Sequence, residues 1–144
     1  VVHGNECFGL ERQHALASLL DDAQAFRSEH VDPRFVKFFL DGVPLLPDPT
    51  NARLDADGEP DAAMLLLDDD VLFDAVAKYD ARGMTCKMHA AGEGSTRQAL
   101  RIYERVRQQN PNGPRHEIAH CNAVLPGESQ NPSPPPFSWP RAWT

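Results

Sequence analysis

Three residues in this sequence put polar chemistry where apolar side chains are the rule: Lys37 inside Phe35-Val36-Lys37-Phe38-Phe39-Leu40, His89 closing Met84-Thr85-Cys86-Lys87-Met88-His89, and His120 in Arg115-His116-Glu117-Ile118-Ala119-His120-Cys121. Each run is a short strand candidate, so all three side chains lie within or at the C-terminal end of successive strands. In parallel α/β sheets that end is where active sites gather. Neutral imidazoles are good zinc ligands, and a lysine amine that has reacted with carbon dioxide becomes a carbamate able to bridge two cations. A protonated lysine cannot ligate, so the metal reading requires Lys37 to be modified. Taken singly, the same residues have plainer readings. A lysine in an apolar strand is commonly an edge charge or a side chain whose amine reaches out to water, and a lone histidine is commonly a hydrogen-bonded residue of core or surface. The three together carry the metal reading.

Other candidates are weaker. Gly92-Glu93-Gly94-Ser95-Thr96 precedes a helical stretch and would place backbone N–H groups near an anion, but it is neither a P-loop nor a dinucleotide fingerprint, and Glu93 repels phosphate. A tight turn followed by a helix cap is the better reading. Asp68-Asp69-Asp70 reads as a solvated helix start rather than a cation site. Cys121 beside His120 suggests a nucleophile pair, yet adjacent strand residues point to opposite faces. His3, His14, His30 and His116 have no spacing that groups them and are expected on the surface.

The elements that must position these residues follow from periodicity. Leu16, Leu19, Leu20, Ala23 and Phe26 recur at three- and four-residue intervals and predict an amphipathic helix from Glu11 to Glu29. Asp32-Pro33 breaks it, and the run from Phe35 to Leu40 predicts a strand buried on both faces, as in a parallel sheet. Pro44 to Pro60, rich in Pro, Asp, Gly and Asn, predicts a long loop. Val71, Leu72, Ala75, Val76 and Tyr79 predict a helix over 68–82, with Gly83 as its stop. After the His89 strand, Ser95 or Thr96 is placed to cap a helix carrying Ala99, Leu100, Tyr103 and Val106 on one face, stopped by Asn110-Pro111-Asn112-Gly113-Pro114. Helix, strand, long loop, helix, strand, helix, strand is an α/β order with a parallel sheet. From Pro126 onward, clustered prolines without periodicity predict an irregular tail over 126–144, leaving 1–125 as the folded unit.

Bulk composition narrows the partners. With 144 residues, 41% hydrophobic and 24% charged, the chain is that of a globular protein, and no apolar stretch approaches the roughly 20 residues of a membrane span. A net charge of −7 repels phosphate backbones, which argues against nucleic acid and for a small molecule. Three cysteines, Cys7, Cys86 and Cys121, form neither a disulfide framework nor a zinc knuckle, so a reducing cytoplasmic compartment is expected. Val1 in place of an initiator Met, together with the aperiodic tail, suggests a piece of a longer reading frame.

The blocks Val36-Lys37-Phe38-Phe39-Leu40-Asp41-Gly42, Met88-His89-Ala90-Ala91-Gly92-Glu93 and Arg115-His116-Glu117-Ile118-Ala119-His120 resemble, in order and spacing, three successive blocks of amidohydrolase family 3, the group similar to N-substituted formamide deformylases. The resemblance spans roughly Leu16 to Leu125. It implies that the chain is part of a (β/α)8 barrel, about three βα units covering barrel strands four to six, since a whole barrel needs roughly 250 residues. It further implies metal-dependent hydrolysis of an amide-type C–N bond in a small molecule. Lys37 matches the family's metal-bridging lysine, and His89 and His120 match its strand-five and strand-six ligands. Asp41 and Glu93 are supporting candidates, and zinc, as one or two ions, is the expected metal. Two departures stand out. No His-x-His pair occurs in the chain, and Glu93 stands where the family usually has aspartate, which moves the carboxylate by one methylene. An arc cut from a barrel has open strand edges, so homo-oligomerisation is expected. The alternative is a non-catalytic α/β fragment that oligomerises and binds no metal.

Overall fold

The computed structural model describes residues 18–19, 22–122 and 137–138. A 3-10 helix, Asp22–Phe26, leads into strand β1, Phe35–Phe39. Helix α1, Asp69–Asp80, strand β2, Thr85–Ala90, helix α2, Glu93–Gln109, and strand β3, His116–His120, follow in alternation. A two-residue strand β4, Phe137–Ser138, completes a parallel sheet in the order β1-β2-β3-β4. Strand order never reverses, so crossovers of one hand place every helix on the same face, and α1 and α2 do pack against each other and against β2. This is an arc of a (β/α)8 barrel rather than a doubly wound sheet.

The helices form where their sequences supply both start and face. Asp68 is extended (φ −70, ψ 150) ahead of α1, and Asp69 and Asp70 in its first turn oppose the positive end of the helix dipole. Leu72 and Val76, one turn apart, are fully buried. Gly83 adopts φ 71, a left-handed conformation that costs glycine little, and turns the chain straight into β2. On α2, Ala99, Ile102, Tyr103 and Val106 repeat at three- and four-residue intervals and face the sheet, where Val36, Phe38, Leu40, Cys86, Met88, Ala90 and Ile118 meet them.

Several expectations change. β1 is not buried on both faces: Val36, Phe38 and Leu40 are buried under the helices, while Phe35 is 51% exposed and Lys37 and Phe39 are half-buried. Only one face of this arc is covered by helices, and the other is the side that looks into a barrel. The predicted first helix appears as Ser18–Leu19 and the 3-10 helix, with residues 11–17 and 20–21 outside the described residues. Leu19 and Phe26 are 57% and 63% exposed, while Ala23 between them is buried. This segment precedes the edge strand, while α1 and α2 already occupy the helical face. The loop predicted over Pro44 to Pro60 lies within a longer connection, residues 40–68, which is irregular apart from the Leu54–Pro60 bridge. Of the predicted tail, residues 126–136 and 139–144 lie outside the described residues, and Phe137–Ser138 pairs with β3 as a two-residue strand.

His116 is the plainest correction, since it is wholly buried rather than on the surface. Its Nδ1 accepts the Cys86 N–H at 3.2 Å, which leaves the ring hydrogen on Nε2, 3.0 Å from Asp80 Oδ1. Asp80, 2% exposed, also accepts from Asn110 Nδ2 at 2.5 Å and faces Arg107 at 3.4 Å. Burial pushes the His116 pKa down to about 4 despite the opposing pull of Asp80, with the Arg107 charge acting in the same direction as burial. It was expected on the surface because no spacing groups it with the other histidines, and the strand is too short to show which face is covered. His30 is exposed, while His3 and His14 lie outside the described residues.

Candidate metal centre at the carboxyl end of the sheet

The sheet register sets the level of each predicted site residue. Phe39 pairs with His89, and His89 with Ala119; Lys37 lies one alternation earlier, level with Lys87, which in turn pairs with Glu117. Alternation therefore puts Lys37, Phe39, Lys87 and His89 on the face free of helices. The Lys37 Nζ sits 4.7 Å from the Phe39 ring centroid, and Phe39 stacks on His89 at 5.1 Å. Lys87 is held by Glu117 at 3.0 Å.

His120 reaches the same face by a different route. It pairs with Ala90, so regular alternation would turn it toward the helices. Instead it adopts φ 77 and Cys121 adopts φ 46, the two non-glycine residues with positive φ among those described. The left-handed backbone swings the imidazole over His89, with ring centroids 4.5 Å apart and planes at 64°. Such a conformation costs a non-glycine residue on the order of 1 kcal/mol, and strain of this kind concentrates at functional sites. The strand pattern could not reveal it. The His120 pKa is lowered, first by partial desolvation, then by His89 and Lys37, with Asp41 opposing. The neutral imidazole, the form that ligates a metal, is thereby favoured.

His89 is 6% exposed, and its Nε2 lies 2.7 Å from the Gly42 carbonyl oxygen. A carbonyl only accepts, so Nε2 carries the hydrogen and Nδ1 keeps the lone pair. Metal-ligating histidines commonly donate their second nitrogen to a carbonyl or carboxylate in this way.

Asp41 ties this arrangement together and is 2% exposed. Its Oδ2 accepts from Ala52 N at 2.9 Å, Gly92 N at 2.9 Å and Ser95 Oγ at 2.7 Å, while Oδ1 accepts from Ala91 N at 3.0 Å and faces His89 Nε2 at 3.4 Å. One carboxylate thus fastens the end of β1, the long connection, the end of β2 and the start of α2. Space is as tight as the bonding: a Cβ at Gly92 would collide with the Ala52 carbonyl, and one at Gly42 with the Thr50 side chain. Serine, aspartate and histidine in this order are no nucleophilic triad, because the serine proton goes to the aspartate rather than to the histidine.

His89, His120 and Asp41 are therefore brought together, with Lys37 on the same face. Glu93 is not joined to them. It opens α2, is half-buried, and has no hydrogen bond or ion pair among the described residues. Ser95, expected as a cap, lies inside the helix, whose N-cap is Gly92; its Oγ reaches back to the Gly92 N–H at 3.2 Å. Cys121 is half-buried with its pKa pushed up by burial to about 11, which suits packing rather than nucleophilic attack. Among the described residues, no group of three or more His, Cys, Asp or Glu side chains is placed to hold a metal ion. The donors present are two imidazoles with available lone pairs. They fit a metal as part of its ligand set, with further donors required.

A helical arc whose polar residues collect at the carboxyl ends of its strands defines the class, and comparison with known proteins agrees. The model of the amidohydrolase family matches residues 4–134, so the chain belongs to that family, whose activity is hydrolysis. No curated protein and no solved structure matches the chain. Among the described residues, no helix is long and apolar enough to cross a membrane.

Proposed function

We propose that this chain contributes part of the metal site of a hydrolase acting on amide-type C–N bonds of a small molecule, in the subgroup similar to N-substituted formamide deformylases. The observation that carries the reading is His120, whose left-handed backbone sets its ring 4.5 Å from His89. In this reading His89 ligates through Nδ1, because Gly42 occupies its Nε2, and His120 ligates as a neutral ring. Lys37, once carboxylated on Nζ, would help hold the zinc, one ion or two, from the same face. Asp41 holds His89, and Glu93 borders the site at the start of α2. A bound zinc ion would supply an activated water and polarise the scissile carbonyl. The chain's own part is to orient two imidazoles and to keep the carboxylate of Asp41 behind them, out of solvent.

Zinc titration with and without bicarbonate tests this reading. Zinc uptake should rise when bicarbonate is present, and Lys37→Ala should abolish the rise; uptake that ignores both bicarbonate and Lys37 would remove the carbamate role. The non-catalytic reading draws on the outer edge of β1, which has no partner strand among the described residues, and on the half-exposed Phe35 and Phe39. Such an edge favours self-association. Sedimentation showing dimers without zinc uptake would favour it over the hydrolase reading.

A further inference from the structure

Ser95 lies on α2, away from the face that carries Lys37 and the two histidine rings, yet its buried hydroxyl is bonded into the support of His89. A hydroxyl has one hydrogen to give. Asp41 Oδ2, at 2.7 Å, is closer than the Gly92 carbonyl at 3.0 Å, so Ser95 donates to the carboxylate and accepts the Gly92 N–H. The two carboxylate oxygens then have different duties. Oδ2 receives donors from Ala52, Gly92 and Ser95 and shares the Ala91 N–H, 3.3 Å away, with Oδ1 at 3.0 Å, while Oδ1 faces His89 Nε2. Of the donors on Oδ2, only the Ser95 hydroxyl belongs to a side chain.

We propose that Ser95 is a positioning residue for His89: by holding Asp41 Oδ2 it helps fix the end of β1, so that the adjoining Gly42 carbonyl, 2.7 Å from Nε2, keeps the ring hydrogen there, with Oδ1 3.4 Å away, and the Nδ1 lone pair stays free. The idea rests on the reading of His89 as a ligand, but its test does not depend on metal. Nitrogen-15 NMR of the metal-free 144-residue chain at mildly alkaline pH reads the tautomer directly. The wild-type chain should show His89 protonated at Nε2 and bare at Nδ1. In Ser95→Ala, the two ring nitrogen signals should move toward each other as both tautomers become populated, and zinc should bind about tenfold more weakly, the lower end of what losing a ligand's supporting partner costs.

Thr96→Val is the control. Thr96 Oγ1 donates to the Gly92 carbonyl at 2.8 Å in the same helical turn and does not touch Asp41. A purely structural role for the turn predicts that both variants lower the Tm and leave His89 alike. The positioning role predicts that only Ser95→Ala moves the ring signals. Unchanged signals in both variants, or equal shifts in both, would overturn it. Should Ser95→Ala fail to fold, Ser95→Cys, with a thiol that donates only weakly, should give a smaller shift in the same direction, and no shift would overturn the proposal. Wild-type chain that takes up no zinc while still showing the Ser95 effect would sink the ligand reading and leave the positioning role standing.

Discussion

Two aspartate–histidine pairs sit at opposite ends of one small parallel sheet, and they are built for different ends. At the amino end, His116 accepts the Cys86 N–H at Nδ1 and turns Nε2 toward Asp80 at 3.0 Å, and Arg107 and Asn110 complete the surroundings of that carboxylate. At the carboxyl end, His89 has one nitrogen engaged by Gly42 and Asp41, and a second histidine stands beside it on strained backbone. The first pair is wholly buried and turned toward Arg107, Asn110 and the backbone, as in a network that serves the fold. The second leaves a lone pair and a strained neighbour, which is what a ligand site needs. In barrels the amino end of the strands is commonly given to stability and the carboxyl end to chemistry, and this arc separates the two.

The comparison breaks most visibly at Asp80. Asp80→Ala leaves His116 and the Arg107 charge without their common partner in a buried setting, and should cost about 3–5 kcal/mol in urea unfolding. A loss below 1 kcal/mol would show that the amino-end network is not a stabilising one. A smaller effect follows from proton uptake by His116. The unfolded ring takes up its proton near the ordinary 6.5, the folded one only near 4, so the unfolded state binds more protons between these values. The contribution is therefore fully present above pH 6.5 and is lost as pH falls toward 4. Thermal melts across that window should show a falling Tm, and His116→Gln, which takes up no proton, should flatten that part of the profile.

The smallest effect has the opposite sign and lies at the other end. His120→Gly relieves the positive φ, and urea unfolding of the metal-free chain should show a gain of about 1 kcal/mol while zinc uptake falls. Unchanged or reduced stability would mean that the left-handed turn at His120 carries no strain. Stability lost at one end and gained at the other, each by removal of an interaction, would sharpen the division between them.

Much of this was legible in the sequence, because the runs around Lys37, His89 and His120 are apolar enough to read as strands and the helices between them repeat cleanly. The shared place of these three residues within or at the end of successive strands was legible too. The face that His120 takes was not, because its backbone leaves the strand pattern at that residue, and no composition rule marks a histidine in a left-handed turn. His116 was misjudged for a related reason, since a five-residue strand shows its buried face only when its helices are in place. The joining role of Asp41 was visible only as an aspartate after a strand. Its donors come from Ala52, Ala91, Gly92 and Ser95, which lie 11 to 54 positions away.

Zinc content of the purified chain tests the central claim most directly, measured by elemental analysis for wild type, for the His89→Ala, His120→Ala double variant, and for His116→Gln. The account predicts near-stoichiometric zinc in wild type, none in the double variant, and full retention in folded His116→Gln. Zinc that survives the double variant, or that departs with His116 from a folded chain, would contradict the assignment of chemistry to the carboxyl end.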